Sequence, residues 1–174
     1  MKKCLYTEAD ITQTGSQIIL HGISLDGIPR GRQDRHFKHA FPDAWNVVQS
    51  MLNSDIEDED TDVNVGDVIW ANQGGNRHIG FCIVRESSDS EINKIAVSLC
   101  MRSAAKKAKE LNLEYVGMGL FGSDTSKEWA NIVEEIEENL GNIQSVVCIP
   151  TNDELTDVLE NLPGSHNFTM IKSN

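Results

Sequence analysis

The run Glu114-Tyr-Val-Gly-Met-Gly-Leu-Phe-Gly-Ser-Asp-Thr-Ser-Lys-Glu-Trp129 carries the residue types and spacing best suited to holding an anion. Gly117, Gly119 and Gly122 form a turn between a short apolar strand and a helix start. Glycines let the main chain approach a ligand closely, and the first-turn amides and helix dipole favour negative charge. Thr125 and Glu128 have capping-box spacing, and Trp129, Ile132, Val133, Ile136 and Leu140 follow at intervals of three or four. The glycines match neither the P-loop nor the dinucleotide-binding fingerprint. A tight strand-to-helix turn that binds nothing satisfies the same pattern.

A second concentration of reactive groups lies upstream. Arg30, Arg32, Arg35, His36, Lys38 and His39 make a positive patch in a chain with 27 acidic and 15 basic residues, net charge −12. Such a patch suits a small anionic ligand, while the overall charge argues against a general nucleic-acid surface. The three-residue interval between His36 and His39 allows one helical face, but no third ligand accompanies them, and no metal is assigned. Cys4, Cys82, Cys100 and Cys148 show no Cys-x-x-Cys spacing and read as reduced thiols, the last three inside apolar runs as small buried hydrophobes. The acidic run Asp55-Ile-Glu-Asp-Glu-Asp-Thr-Asp62 reads as a solvated loop, with an interaction segment as the alternative.

The elements that must position these groups alternate along the chain. Residues 2–6 read as a first strand and Gln17-Ile-Ile-Leu-His21 as a second, internal one. A helical region through Phe37, Ala40 and Phe41 restarts at Pro42, with Trp45, Val48 and Leu52 on one face. Segments 67–71 and 79–84, separated by turn chemistry, predict an antiparallel hairpin. The longest helix is expected over 91–111, burying Ile92, Ile95, Ala96, Leu99, Ser103 and Leu111 and exposing Arg102, Lys106, Lys107 and Lys109. Strands at Tyr115 and 144–149 alternate with helices at Trp129 and 153–162, which predicts a mostly parallel sheet, made mixed by the hairpin, with helices on its faces. The 174 residues suit a single domain, with the acidic loop at about 53–64 and a C-terminal helix and tail at 151–174. No signal peptide opens the chain, and no apolar run approaches the ~20 residues of a membrane span. A cytoplasmic location, with no membrane association, is expected.

The order of elements, together with four short motifs, resembles a macro domain, the ADP-ribose-binding α/β/α module. The likeness runs from about residue 4 to 150. It is closest to the small branch that includes ADP-ribose 1″-phosphate phosphatases and occurs in large phages. Glu8-Ala9-Asp10-Ile11 stands where the family has Gly-Asp-Ile, and Ile19-Leu20-His21-Gly22-Ile23-Ser24 where the branch has an apolar strand ending in His-x-x-Asn. Phe41-Pro42 matches an aromatic-Pro after the first loop, and Gly117–Gly122 before Trp129 matches a glycine loop before a tryptophan helix.

The resemblance implies a three-layer α/β/α fold and a cofactor-free site for ADP-ribose or a phosphorylated or ester-linked derivative. Asp10 would accept from the adenine amino group and the Ile11 N–H would serve a ring nitrogen. Gly117, Gly119, Leu120, Phe121, Gly122 and Ser123 would wrap the phosphates, with Phe121 either against the ligand or in the core. Ser24, Gly27, Arg30 and Arg32 would belong to the opposing loop, which departs from the family: Ser24 replaces its Asn, Pro29 stiffens the loop, and arginines replace small residues. His21 matches a proposed catalytic histidine, and Asp26 would pair with it or position water. Three outcomes follow: hydrolysis of the terminal phosphate or an ADP-ribosyl linkage, binding without turnover, or a degenerate fold that engages a protein partner through its acidic surface. A phage source would place the protein in the host cytoplasm.

Overall fold

The computed structural model describes residues 1–52 and 63–163 and the backbone of 169–171, so the acidic run at 55–62 lies outside the described residues. Its strands are β1 (Leu5–Glu8), β2 (Ile18–Ser24), β3 (Val68–Asn72), β4 (His78–Arg85), β5 (Tyr115–Met118), β6 (Gln144–Ile149) and β7 (Thr169–Ile171). Its helices are α1 (Gly31–Ala40), α2 (Pro42–Leu52), α3 (Lys94–Glu110), α4 (Ser126–Leu140) and α5 (Asn152–Glu160). The strands form one mixed sheet in the order β3-β4-β2-β5-β6-β1-β7. The β3–β4 hairpin is antiparallel, as expected, and the other pairings are parallel.

Alternation along the central strands divides the interior into two cores, because successive side chains of a strand point to opposite faces. Ile18, Leu20, Cys82 and Val84 pack with residues of α3, α4 and α5. Ile19, Ile23, Ile79, Phe81 and Ile83 pack with Phe37, Phe41, Trp45 and Val48 from α1 and α2. The result is a three-layer α/β/α fold, helices covering both faces of the sheet. Among the described residues no helix is long and apolar enough to cross a membrane.

The α4 stripe emerges as the sequence predicts: Trp129, Ile132, Val133, Ile136 and Leu140 are all buried. The buried face of α3 needs correction. Ile95 is 73% exposed and Leu99 44%, while Val97, Cys100, Met101, Ala104 and Ala108 are fully buried. Those five residues share one helical face, each lying three or four positions from another of the set, and their mostly small side chains let α3 settle closely on β4 and α4. Size complementarity selected the stripe that bulk hydrophobicity disfavoured.

Two further placements differ from expectation. Gly117 lies inside β5 rather than in the following turn, where a Cβ would meet Thr14 Oγ1 at 2.9 Å. His21 sits in the middle of β2, which continues to Ser24.

Candidate functional site

The chain leaves β1 and turns at Asp10, the N-cap of a single 3₁₀ turn over Ile11–Gln13. Asp10 Oδ1 accepts the Thr12 N–H at 2.9 Å and the Thr12 hydroxyl at 2.7 Å, while the Asp10 N–H donates to Gln13 Oε1 at 2.8 Å. Its other oxygen, Oδ2, lies 2.7 Å from His36 Nε2 on α1. Burial pushes the Asp10 carboxyl up, but the Thr12 donors and His36 outweigh it and hold it below its ordinary value. Asp10 is therefore a fixed carboxylate at neutral pH.

The opposite end of the site is the loop between β5 and α4. Phe121 and Gly122 take φ of 53° and 77°. This reversal presses the loop onto β2: a Cβ at Gly122 would lie 2.5 Å from Gly22 O, and a Cβ at Gly22 2.4 Å from Phe121 O. The reversal also turns the Phe121 ring into the core shared with Trp129, so it does not face the site. Thr125 caps α4 by accepting the Glu128 N–H at 3.1 Å. The Ser123 N–H donates to Leu120 O and the Asp124 N–H to Glu128 Oε1, so these two amides are engaged within the loop. The Ser123 hydroxyl is buried without a hydrogen-bond partner.

Between these ends runs a cleft of about 490 Å³. It opens outside the carboxyl ends of parallel strands, where open α/β sheets place their ligands. Asp10 and Ile11 form one end; Gly119, Leu120 and Ser123 through Ser126 form the other. α1 supplies Arg32, Gln33, His36 and Phe37 as one wall. The facing wall comes from the end of β6 and from α5 with its N-terminal approach, with Cys148, Pro150, Thr151, Glu154, Asp157 and Val158. Arg32 reaches across to Glu154 at 3.3 Å.

His21 also borders the cleft, only 3% exposed. Its ring stacks on Phe37 at 4.2 Å, nearly parallel, and Nε2 lies 2.6 Å from Asp34 Oδ1. Asp34 Oδ2 in turn accepts the Arg30 N–H at 2.5 Å. The carboxylate on His21 is thus Asp34, and the expected pairing with Asp26 does not form. Asp26 instead accepts from the Ser24 hydroxyl, the Ile28 N–H and the Ser88 N–H at 2.7, 3.0 and 2.8 Å. Burial pushes its carboxyl up, but these donors outweigh it and hold it below its ordinary value. Its contacts fold the loop after β2 onto residues 86–90.

Of the residues singled out in the sequence, Asp10, Ile11, His21, Arg32, Gly119, Leu120 and Ser123 meet around the cleft. Ser24, Asp26, Gly27, Arg30, Gly117, Phe121 and Gly122 do not line it. Gly27 turns the loop at φ 71° and its carbonyl accepts from Gln49 Nε2 at 2.9 Å. Arg30 is spent on Asp124 and on the Ser90 carbonyl. His36 pairs with Asp10, and no group of metal-ligating side chains exists among the described residues. The sequence reading placed the β6 strand and the α5 helix but assigned none of their residues to the site. A signal was present: Thr151 and Glu154 have N-cap spacing directly after an apolar strand, and Thr151 Oγ1 accepts the Glu154 N–H at 3.2 Å.

The buried thiols give one prediction. Burial first of all, with the Asp10 charge adding, raises Cys148 from 9.0 to about 11 despite a hydrogen bond with Thr14. Burial likewise raises Cys4 to about 12. A raised folded value means stability that is intact below the ordinary thiol range and is lost as pH climbs toward the folded value. Denaturant midpoints should therefore fall between pH 9 and 11, and Cys148→Ala should flatten part of that decline. A decline of unchanged steepness would deny Cys148 a share in it.

No protein-family model matches the chain, and no curated protein matches it. Solved structures do. The Thermus aquaticus DarG macrodomain superposes with a TM-score of 0.67 at 15% identity over 86% of this chain and 100% of that chain. A macrodomain protein from Streptomyces coelicolor gives 0.67 at 14% identity over 84% and 99% of the two chains. A mutant Oceanobacillus iheyensis macrodomain described with ADPR gives 0.63 at 17% identity over 90% of each. At these identities the likeness establishes the fold, and the chain has the macrodomain fold.

Proposed function

We infer that the cleft binds the ADP portion of ADP-ribose or of a related derivative. One observation carries this reading: a fixed carboxylate, Asp10, and a glycine loop leading into the capped N-terminus of α4 face each other along a single cleft. The base belongs at Asp10 and Ile11, where a carboxylate accepts from an exocyclic amine and Val158 and Cys148 supply apolar surface. The phosphates belong at Gly119 through Ser126, where the dipole of α4 favours negative charge. Arg32, 83% exposed and paired among the described residues with Glu154, can swing toward them. The structural neighbour described with ADPR supports the same assignment.

Binding without turnover fits the geometry better than hydrolysis. A general base must reach the proton it removes, directly or through one water. His21 is only 3% exposed, with Nε2 held by Asp34 and its ring stacked on Phe37, so a water and a substrate have little access to it. Of the residues that suggest the phosphatase-like branch, His21 alone has a catalytic match, so the phosphatase and ADP-ribosyl hydrolase readings stand second.

Calorimetric titration with ADP-ribose tests the reading. Asp10→Ala removes a hydrogen bond to a charged group, worth roughly 1.5–3 kcal/mol, and should weaken binding by at least about tenfold. Equal affinity in the variant would place the ligand elsewhere. Release of phosphate from ADP-ribose 1″-phosphate by the unaltered protein, lost in His21→Ala, would establish hydrolysis instead.

A further inference from the structure

The phosphate end of the cleft is closed by the chain's own side chains. Arg30 crosses from the loop before α1 to the residue before the α4 cap, its Nε 2.8 Å and its second guanidinium nitrogen 2.6 Å from Asp124 Oδ2. The remaining guanidinium nitrogen donates to Ser90 O at 3.1 Å, and the Arg30 N–H is held by Asp34. Three residues further, in the first turn of α1, Gln33 Nε2 donates to Ser123 O. The two bonds tie α1 and its preceding loop to the glycine loop at neighbouring points. Arg30 itself does not line the cleft, nor do Ser24 and Gly27, and the Ser24 hydroxyl is turned to Asp26.

Resting on the nucleotide reading above, the geometry points to a site that does not distinguish a nucleoside diphosphate from its ribosylated form. The cleft accommodates base, sugar and phosphates between Asp10 and Thr125, and the Arg30–Asp124 latch occupies the path a second sugar would follow from the terminal phosphate. The latch is multiply bonded through a planar fork, which fixes its geometry better than a single lysine contact would. Its two side chains are still 26% and 40% exposed, so it can open at modest cost. The second sugar then contributes no net affinity, because any contact it makes is offset by opening the latch.

The test compares ADP with ADP-ribose by calorimetry on the unaltered protein and on the double variant Arg30→Ala, Asp124→Ala. Removing both partners avoids leaving a bare carboxylate beside the phosphates, and both are surface positions whose loss can be checked by thermal melting. The unaltered protein should bind the two ligands within about threefold, and the double variant should favour ADP-ribose by about tenfold. A preference of about tenfold for ADP-ribose in the unaltered protein would overturn the proposal. A ratio that stays unchanged in the variant would overturn the role of the latch. If neither ligand binds, the nucleotide reading itself fails, an outcome distinct from both.

Discussion

Arg85→Ala should destabilise the protein by about 3–5 kcal/mol, the cost of removing one partner from a buried ion pair. Arg85 ends β4 and is only 2% exposed. Its guanidinium contacts Glu128 Oε1 at 3.0 Å, the Gly122 carbonyl at 2.6 Å and the Ser90 carbonyl at 3.0 Å. Truncation strips the Glu128 carboxylate of its counter-charge and the Gly122 carbonyl of its guanidinium donor, and leaves the Ser90 carbonyl with Arg30 alone. Glu128 further anchors the Asp124 N–H, so the damage spreads to the α4 cap. In a domain of this size the loss corresponds to a melting-point drop on the order of 10 °C. Arg85→Lys should recover little, since a point charge cannot serve three acceptors in the directions of the fork. Burial pushes the Glu128 carboxyl up, but Arg85 and the Asp124 N–H outweigh it and set it below its ordinary value. A lowered value means stability present above the ordinary carboxylate range and lost as pH falls through the folded value. The Arg85→Ala penalty should accordingly shrink in acid. A penalty below about 1 kcal/mol at neutral pH, the range of an exposed pair, would show that the fork does not hold the loop.

Gly22→Ala is the second large effect, expected to cost about 3 kcal/mol, the upper range for overpacking. The added Cβ would lie 2.4 Å from Phe121 O and 3.2 Å from Val84 Cγ2, both in buried surroundings. The first contact is backbone, so no rotamer change relieves it; the glycine loop must lift from β2. Gly122→Ala meets the same surface from the other side, 2.5 Å from Gly22 O, and adds the cost of φ 77° for a residue with a Cβ. Because both act on one close approach, the double variant should lose less than the sum of the singles. Denaturant unfolding of the three variants measures this. Strict additivity would mean that the two positions do not share a contact.

These two effects show what the sequence could and could not tell. The glycine loop was legible because its three glycines, the Thr125 cap and the α4 stripe all depend on local spacing. The reason for Gly122 was not, since it lies in Gly22, on a strand 100 positions away in sequence. Arg85 reads as the polar end of a strand, and nothing nearby announces that it reaches Glu128. Layer architecture and the mixed sheet followed from alternation of strands and helices. The α3 face did not, because Ile95 and Leu99 look like core until the small residues Cys100, Ala104 and Ala108 are seen facing the sheet. At the site, residues tied to a local turn, such as Asp10, were legible as candidates, and Asp10 lines the cleft. The Asp34 partner of His21 and the α5 wall come from elements whose approach only the tertiary fold decides.

The account rests on a nucleotide lying between Asp10 and Thr125, and a crystal structure with ADP tests this most directly. Density for the base beside Asp10 and Ile11, with phosphates at Gly119 through Ser126, is the predicted result. A cleft that stays empty at saturating ADP, or ADP ordered on another face, would contradict it.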